Sequence, residues 1–133
     1  MDSGQFLAIQ YAIAYAMDHP EITEGAAGDY GRRLGAMADI LQSVGIQAER
    51  PAGGFFLYSP SPRGTESGKV FRTADDFMAY LLTEKQIVTV PWDDVSSEPG
   101  IRFAAPFPAN TLEEEVRILG EFRKRMSTDR FVY

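Results

Sequence analysis

Apolar residues crowd the first stretch of the chain, from Phe6 through Leu7, Ile9, Tyr11, Ile13 and Tyr15 to Met17, leaving almost no polar face. An ordinary surface helix shows one apolar stripe, so this run predicts a helix buried on several sides. Asp2 and Ser3 are its N-cap candidates. Asp18-His19-Pro20 ends it, because proline biases the residue before it away from helical dihedrals. The run is shorter than the roughly 20 apolar residues that a membrane span requires.

From about Ile22 to Val44, Leu34, Met37, Ala38, Leu41 and Val44 recur at three- and four-residue spacing, the mark of a second helix. Gly25, Gly28, Gly31 and Gly35 weaken its first half by about 1 kcal/mol each relative to alanine, so packing against something else is expected to fix it. Gly45 supplies the left-handed residue that closes it. Ile46 to Arg50 is a weak edge-strand candidate, and Gly54 to Ser59 a strong strand bounded by Gly53-Gly54 and Pro60. Ser59 to Gly68 reads as a long Pro/Gly/Ser loop.

Thr73 opens a third helix with Asp75 and Asp76 at its positive end and Phe77, Tyr80 and Leu81 on its inner side. Ile87 to Val90 is a short β-branched strand, Pro91-Trp92-Asp93-Asp94 a turn, and Ile101 to Ala104 a further strand. Thr111 and Glu114 fit a capping box for the last helix, whose stripe is Leu112, Val116, Leu119, Phe122 and Met126. Glu113, Glu114 and Glu115 read as its solvated start, and Arg123-Lys124-Arg125 suit its negative end. The predicted order is ααβ(β)αββα. It gives an α+β two-layer sandwich, a small, mostly antiparallel sheet covered by helices. Residues 1–133 form a single domain in this reading, with 1–20 as an apolar helix of interdomain type and 21–133 as the α/β sandwich.

Composition narrows the function classes. The 133 residues are 44% hydrophobic and 24% charged, an ordinary globular balance rather than a disordered one. A net charge of −6 argues against nucleic-acid binding, which relies on clustered Lys and Arg. Without cysteine there is no disulfide framework, thiolate metal site or cysteine nucleophile. The single histidine, His19, excludes a two-histidine metal site, and no metal site is expected. It suits the negative end of the first helix. No membrane partner is expected, and a reducing cytoplasm is the default compartment.

Gly64 to Val70 resembles a phosphate loop only superficially. Three residues separate its glycines instead of four, and Val70 stands where a Ser or Thr would hold magnesium. Asp93-Asp94 after Pro91-Trp92 reads as turn chemistry rather than a catalytic carboxylate pair. Arg102 is more informative. In an extended Ile101-Arg102-Phe103 it points opposite to its apolar neighbours. That places a permanent cation on a strand face, where it meets a structural anion, lies open to solvent, or grips a carboxylate with two parallel hydrogen bonds.

Taken in order, the segments Ser3 to Gln10, His19-Pro20-Glu21, Tyr30 to Leu34, Gly45-Ile46, Gly53 to Tyr58, Phe77 to Leu82, Val88 to Asp93 and Gly100 to Phe103 resemble the C-terminal part of a class I/II, fold-type I, pyridoxal-phosphate-dependent aminotransferase. The Gly54 to Tyr58 and Val90 to Asp94 segments are most similar to the diaminopimelate-aminotransferase-like branch. The resemblance implies that Arg102 binds the substrate α-carboxylate and that Gly53 and Gly54 bring backbone close to the substrate. It places the first helix against a large domain and a subunit interface. It also implies that the Schiff-base lysine and the rest of the cofactor site lie upstream of the matched segments. No catalytic or cofactor-binding residue is then expected here. Lys69, Lys85 and Lys124 stand outside the family's lysine context. The intact enzyme would use pyridoxal phosphate to move an amino group from an amino acid to a 2-oxo acid. This chain, needing the upstream large domain as its partner, is expected to bind no cofactor, to be inactive alone and to self-associate or form a homodimer. The alternative is a self-standing α+β module that captures a small carboxylate or docks another protein.

Overall fold

The computed structural model describes residues 6–92, 99–105, 109 and 111–133. Asp2 and Ser3, and the turn at Asp93-Asp94, lie outside the described residues. The elements are α1 (Leu7–Asp18), α2 (Pro20–Ser43), β1 (Phe56–Pro60), β2 (Gly64–Thr65), α3 (Ala74–Lys85), β3 (Val90–Trp92), β4 (Gly100–Ala104), α4 (Leu112–Met126) and β5 (Phe131–Val132). β1, β4 and β3 form an antiparallel sheet with β4 in the centre, and β2 pairs with β5 beside it. The α+β class, with helices layered on a small antiparallel sheet, is as the chain pattern predicts.

Alternation decides which sheet face is covered. Leu57 on β1 and Ile101 and Phe103 on β4 point inward and are fully buried. There they join Leu34, Leu41, Phe77, Leu81 and Met126 from the three helices. Phe56, Tyr58 and Arg102 alternate to the opposite face, which no helix of the core covers. Gly45 closes α2 at φ +91°. Its N–H and that of Ile46 reach back to Gln42 and Leu41, and a Cβ there would lie 2.5 Å from the Phe131 carbonyl oxygen. Glycine thus both ends the helix and lets β5 dock against its end. Thr73 and Asp76 form the capping box of α3, and Thr111 caps α4 at Glu114.

One element lacks within this chain the cover its pattern asks for, and three expectations are corrected. α1 has no buried residue, and Ile9, Tyr11, Ile13 and Tyr15 are each more than half exposed. Its neighbour is the glycine-bearing start of α2, where Gly25, Gly28 and Gly31 have open space around them. Ile46 to Arg50 is not a strand; it runs beside β1 through side-chain bonds, Ser59 Oγ donating to the Gln47 carbonyl and Gln47 N–H to Tyr133 Oη. Pro91 and Trp92 belong to β3 rather than to a turn, and Ile87 to Thr89 precede it. Within the predicted stripe of α4, Leu112 and Val116 are exposed, while Glu115 is buried.

Candidate carboxylate-binding site

Arg102 sits mid-strand on the central strand, on the face away from the core. Directly across from it are Tyr58 on β1 and Val90 on β3. Phe56, opposite Ala104, and Trp92, opposite Gly100, are its diagonal neighbours on the two flanking strands. The guanidinium carbon lies 4.3 Å from the Phe56 ring centre and 5.1 Å from that of Trp92. Tyr58 closes a third side, edge-on to Trp92 at 5.7 Å and to Phe56 at 6.4 Å. The Tyr58 and Trp92 rings also wall an open cleft of about 740 Å³, completed by Gln47, Glu49, Pro60 and Gly100.

Other arginines of the chain are spent on internal anions. Arg32 holds both carboxylate oxygens of Glu115 at 2.8 and 3.0 Å, and Arg33 adds a bond at 2.8 Å. Arg50 is bidentate on Asp39, and Arg130 meets Glu66. Among the described residues no carboxylate pairs with Arg102. Of the three arrangements open to a strand arginine, the internal salt bridge is made by none of the described carboxylates. The planar N–H donors of the guanidinium, the part that matches a carboxylate, meet no anion among the described residues.

Gly53 and Gly54 lie in the exposed turn before β1, Gly54 at φ +77° with no atom within 4 Å of a would-be Cβ. They are near Phe56 along the chain, with no contact to Arg102 given by the geometry. Lys85 is buried, 6% exposed, and its ammonium is held by Asp129 and Thr128. Tyr80 donates to the same Asp129 carboxylate at 2.5 Å and Ser67 at 3.1 Å. Burial pushes the Asp129 carboxyl up, but the hydrogen bonds from Lys85, Tyr80 and Ser67 outweigh it and hold it below the usual carboxylate range. Burial, then the bond to Asp129, pushes the Tyr80 phenol well above its ordinary value. Lys69 has its ammonium over the Tyr80 ring, and Lys124 lies in the basic last turn of α4. His19 stacks on Tyr15 and bonds Glu21 at 2.8 Å. No group of three or more metal-ligating side chains is found, and no helix is long and apolar enough to cross a membrane, among the described residues.

Sequence reasoning singled out Arg102 but not the aromatic frame around it. Val88, Val90 and Trp92 alternate across Pro91, and proline is compatible with an edge strand such as β3. That alternation was the available signal.

No family model matches the chain. It is 43% identical over 137 residues to an LL-diaminopimelate aminotransferase of Methanococcus maripaludis, covering 99% of this chain and 32% of that enzyme. To the enzyme of the same name from Methanocaldococcus jannaschii it is 47% identical over 133 residues, covering 94% and 31%. The chain thus spans about a third of the length of the curated relatives it matches. An aromatic aminotransferase structure from Pyrococcus horikoshii superposes with a TM-score of 0.65 at 23% identity, over 90% of this chain and 30% of that one, a likeness of fold.

Proposed function

We propose that this chain is the C-terminal small domain of a fold-type I aminotransferase and supplies the α-carboxylate site of an enzyme that transfers an amino group from an amino acid to a 2-oxo acid. The observation that supports the reading is Arg102, set between the Phe56 and Trp92 rings on the sheet face away from the core, with no carboxylate partner among the described residues. Two parallel N–H donors of its guanidinium would grip the substrate's carboxylate and orient the α-carbon. Gly53 and Gly54, lacking side chains, would let backbone approach the substrate.

Pyridoxal phosphate, which would serve as electron sink in such an enzyme, does not fit the described residues. Lys85 is buried in its pair with Asp129, Lys69 lies over Tyr80, and Lys124 rides on α4. The cofactor and its lysine are therefore assigned to the remaining two-thirds of the enzyme. That part is also the partner proposed to cover the apolar face of α1. In its absence a second copy of the chain would take its place.

A chimera tests the reading. The corresponding third of the Methanocaldococcus jannaschii enzyme is replaced by this chain and assayed for 2-oxo acid formation. Transamination is expected, and Arg102→Leu should lower kcat/KM about 100-fold, roughly 3 kcal/mol of lost charge-assisted bonding. A chimera that retains the cofactor's absorbance yet does not turn over, or whose rate ignores Arg102→Leu, would overturn it. The chain alone, mixed with pyridoxal phosphate, an amino-acid donor and a 2-oxo acid, is expected to give no product.

A further inference from the structure

We infer that Phe56 and Trp92 are positioning residues that fix the Arg102 guanidinium so that its N–H edge faces outward, ready for a carboxylate; this rests on the reading of Arg102 as the carboxylate clamp. An arginine side chain on an open strand face is free to sample many rotamers, and that freedom must be lost before two parallel hydrogen bonds can form. At Arg32 and Arg50 the restraint comes from carboxylates, Glu115 and Asp39 respectively. A carboxylate restraint at Arg102 would consume the donors that a ligand needs.

Aromatic faces restrain differently. The ring quadrupole attracts the cation, and a ring stacked parallel to the guanidinium leaves its in-plane donors unspent. The geometry of the sheet delivers such faces from both sides. Phe56 on β1 and Trp92 on β3 flank the central strand at diagonal positions, 4.3 Å and 5.1 Å from the guanidinium carbon. Gly100, opposite Trp92, has no side chain to separate the Trp92 ring from Tyr58. The Tyr58 edge contacts then brace both rings.

The test separates a π-face from bulk. Phe56→Leu and Trp92→Leu keep an apolar side chain but remove the quadrupole; Phe56→Tyr and Trp92→Phe keep a ring. Nitrogen-15 relaxation of Arg102 Nε in the ligand-free chain should report an ordered side chain in the wild type and in the two ring-keeping variants. The two leucine variants should be mobile there. Titration with pyruvate, followed by the Arg102 Nε–H shift, should weaken roughly 3- to 10-fold in each leucine variant, as expected for losing one cation–π contact, and recover with Tyr or Phe. Trp92 is the chain's single tryptophan, so its fluorescence gives a second readout in the Phe56 variants. Equal Nε order in all five proteins would overturn the positioning role. So would leucine variants that bind pyruvate as tightly as the wild type while Arg102→Leu does not, and that result would leave the clamp reading standing. Pyruvate binding or fluorescence change that is absent, or unaltered by Arg102→Leu, would instead sink the clamp reading.

Discussion

Glu115 is only 3% exposed, and an uncompensated carboxylate at such a position would cost several kcal/mol. Three N–H donors of Arg32 and Arg33 offset that cost. The Arg32 bond holds the carboxyl below its ordinary range against the opposing effect of burial, and Arg33 adds to it. A carboxyl that is more acidic folded than unfolded contributes stability that is full above the unfolded value. That stability is lost as pH falls through the folded one. Glu115→Ala should therefore cost about 3 kcal/mol near neutral pH and much less once the wild-type carboxyl is protonated. Urea denaturation from about pH 7 down through and below the ordinary carboxylate range checks this; a cost independent of pH would refute it. The burial was not legible in Glu113-Glu114-Glu115. Successive helical residues point about 100° apart, so one of three must turn toward α2. The partner arginine that decides which is 83 positions earlier in the chain. The face to which Arg102 points was legible because strand alternation is local; the rings that flank it were not, since they depend on what three strands bring together.

At the level of elements, long periodic segments and caps were readable, whereas two-residue strands were not. α3 illustrates the first case. Thr73 accepts the Asp76 N–H while the Asp76 carboxylate accepts that of Thr73, two orphan donors satisfied by a four-residue pattern. Thr73→Ala should lower stability by about 1 kcal/mol. The other end of the helix is less well served. Gln86 closes it at φ +55°, a left-handed conformation that costs a residue bearing a Cβ roughly 1 kcal/mol. Gln86→Gly should raise the urea midpoint by a comparable free energy, and the Arg125 bond to the Gln86 carbonyl is backbone-based and survives the change. A midpoint that falls would mean that the backbone is not strained there. β2 and β5 each span two residues, too short to carry any period. Gly45 lets β5 approach, a contact between distant parts of the chain that no window of sequence contains. Ile46 to Arg50 had the alternation of a strand but no ladder, because side chains of Ser59 and Tyr133 take its backbone bonds instead.

On the scale of the molecule, the apolar helix and the surface area point the same way. A compact chain of 14.8 kDa should expose about 7,000 Å², whereas this one exposes 8989 Å². α1 and the first half of α2 are exposed along nearly their whole length and stand clear of the core. The pattern of Phe6 to Met17 asked for burial, and the described residues do not provide it. Hydrophobic pattern specifies that a face be covered, not which polypeptide covers it, and the exposed face of α1 fits the expectation that this helix lies against another body. An apolar face this extensive favours association through the area that it removes from water. Light scattering on the isolated chain should give a mass above the monomer that rises with concentration. Ile9→Lys with Ile13→Lys, one turn apart on α1 and each more than half exposed, should return it to monomer. Because neither side chain contributes to the core, the urea midpoint extrapolated to low protein concentration should hardly move. Monomer at every concentration would remove α1 as an interface, and association that survives both lysines would place the contact on another surface, the aromatic sheet face around Arg102 being the first to probe.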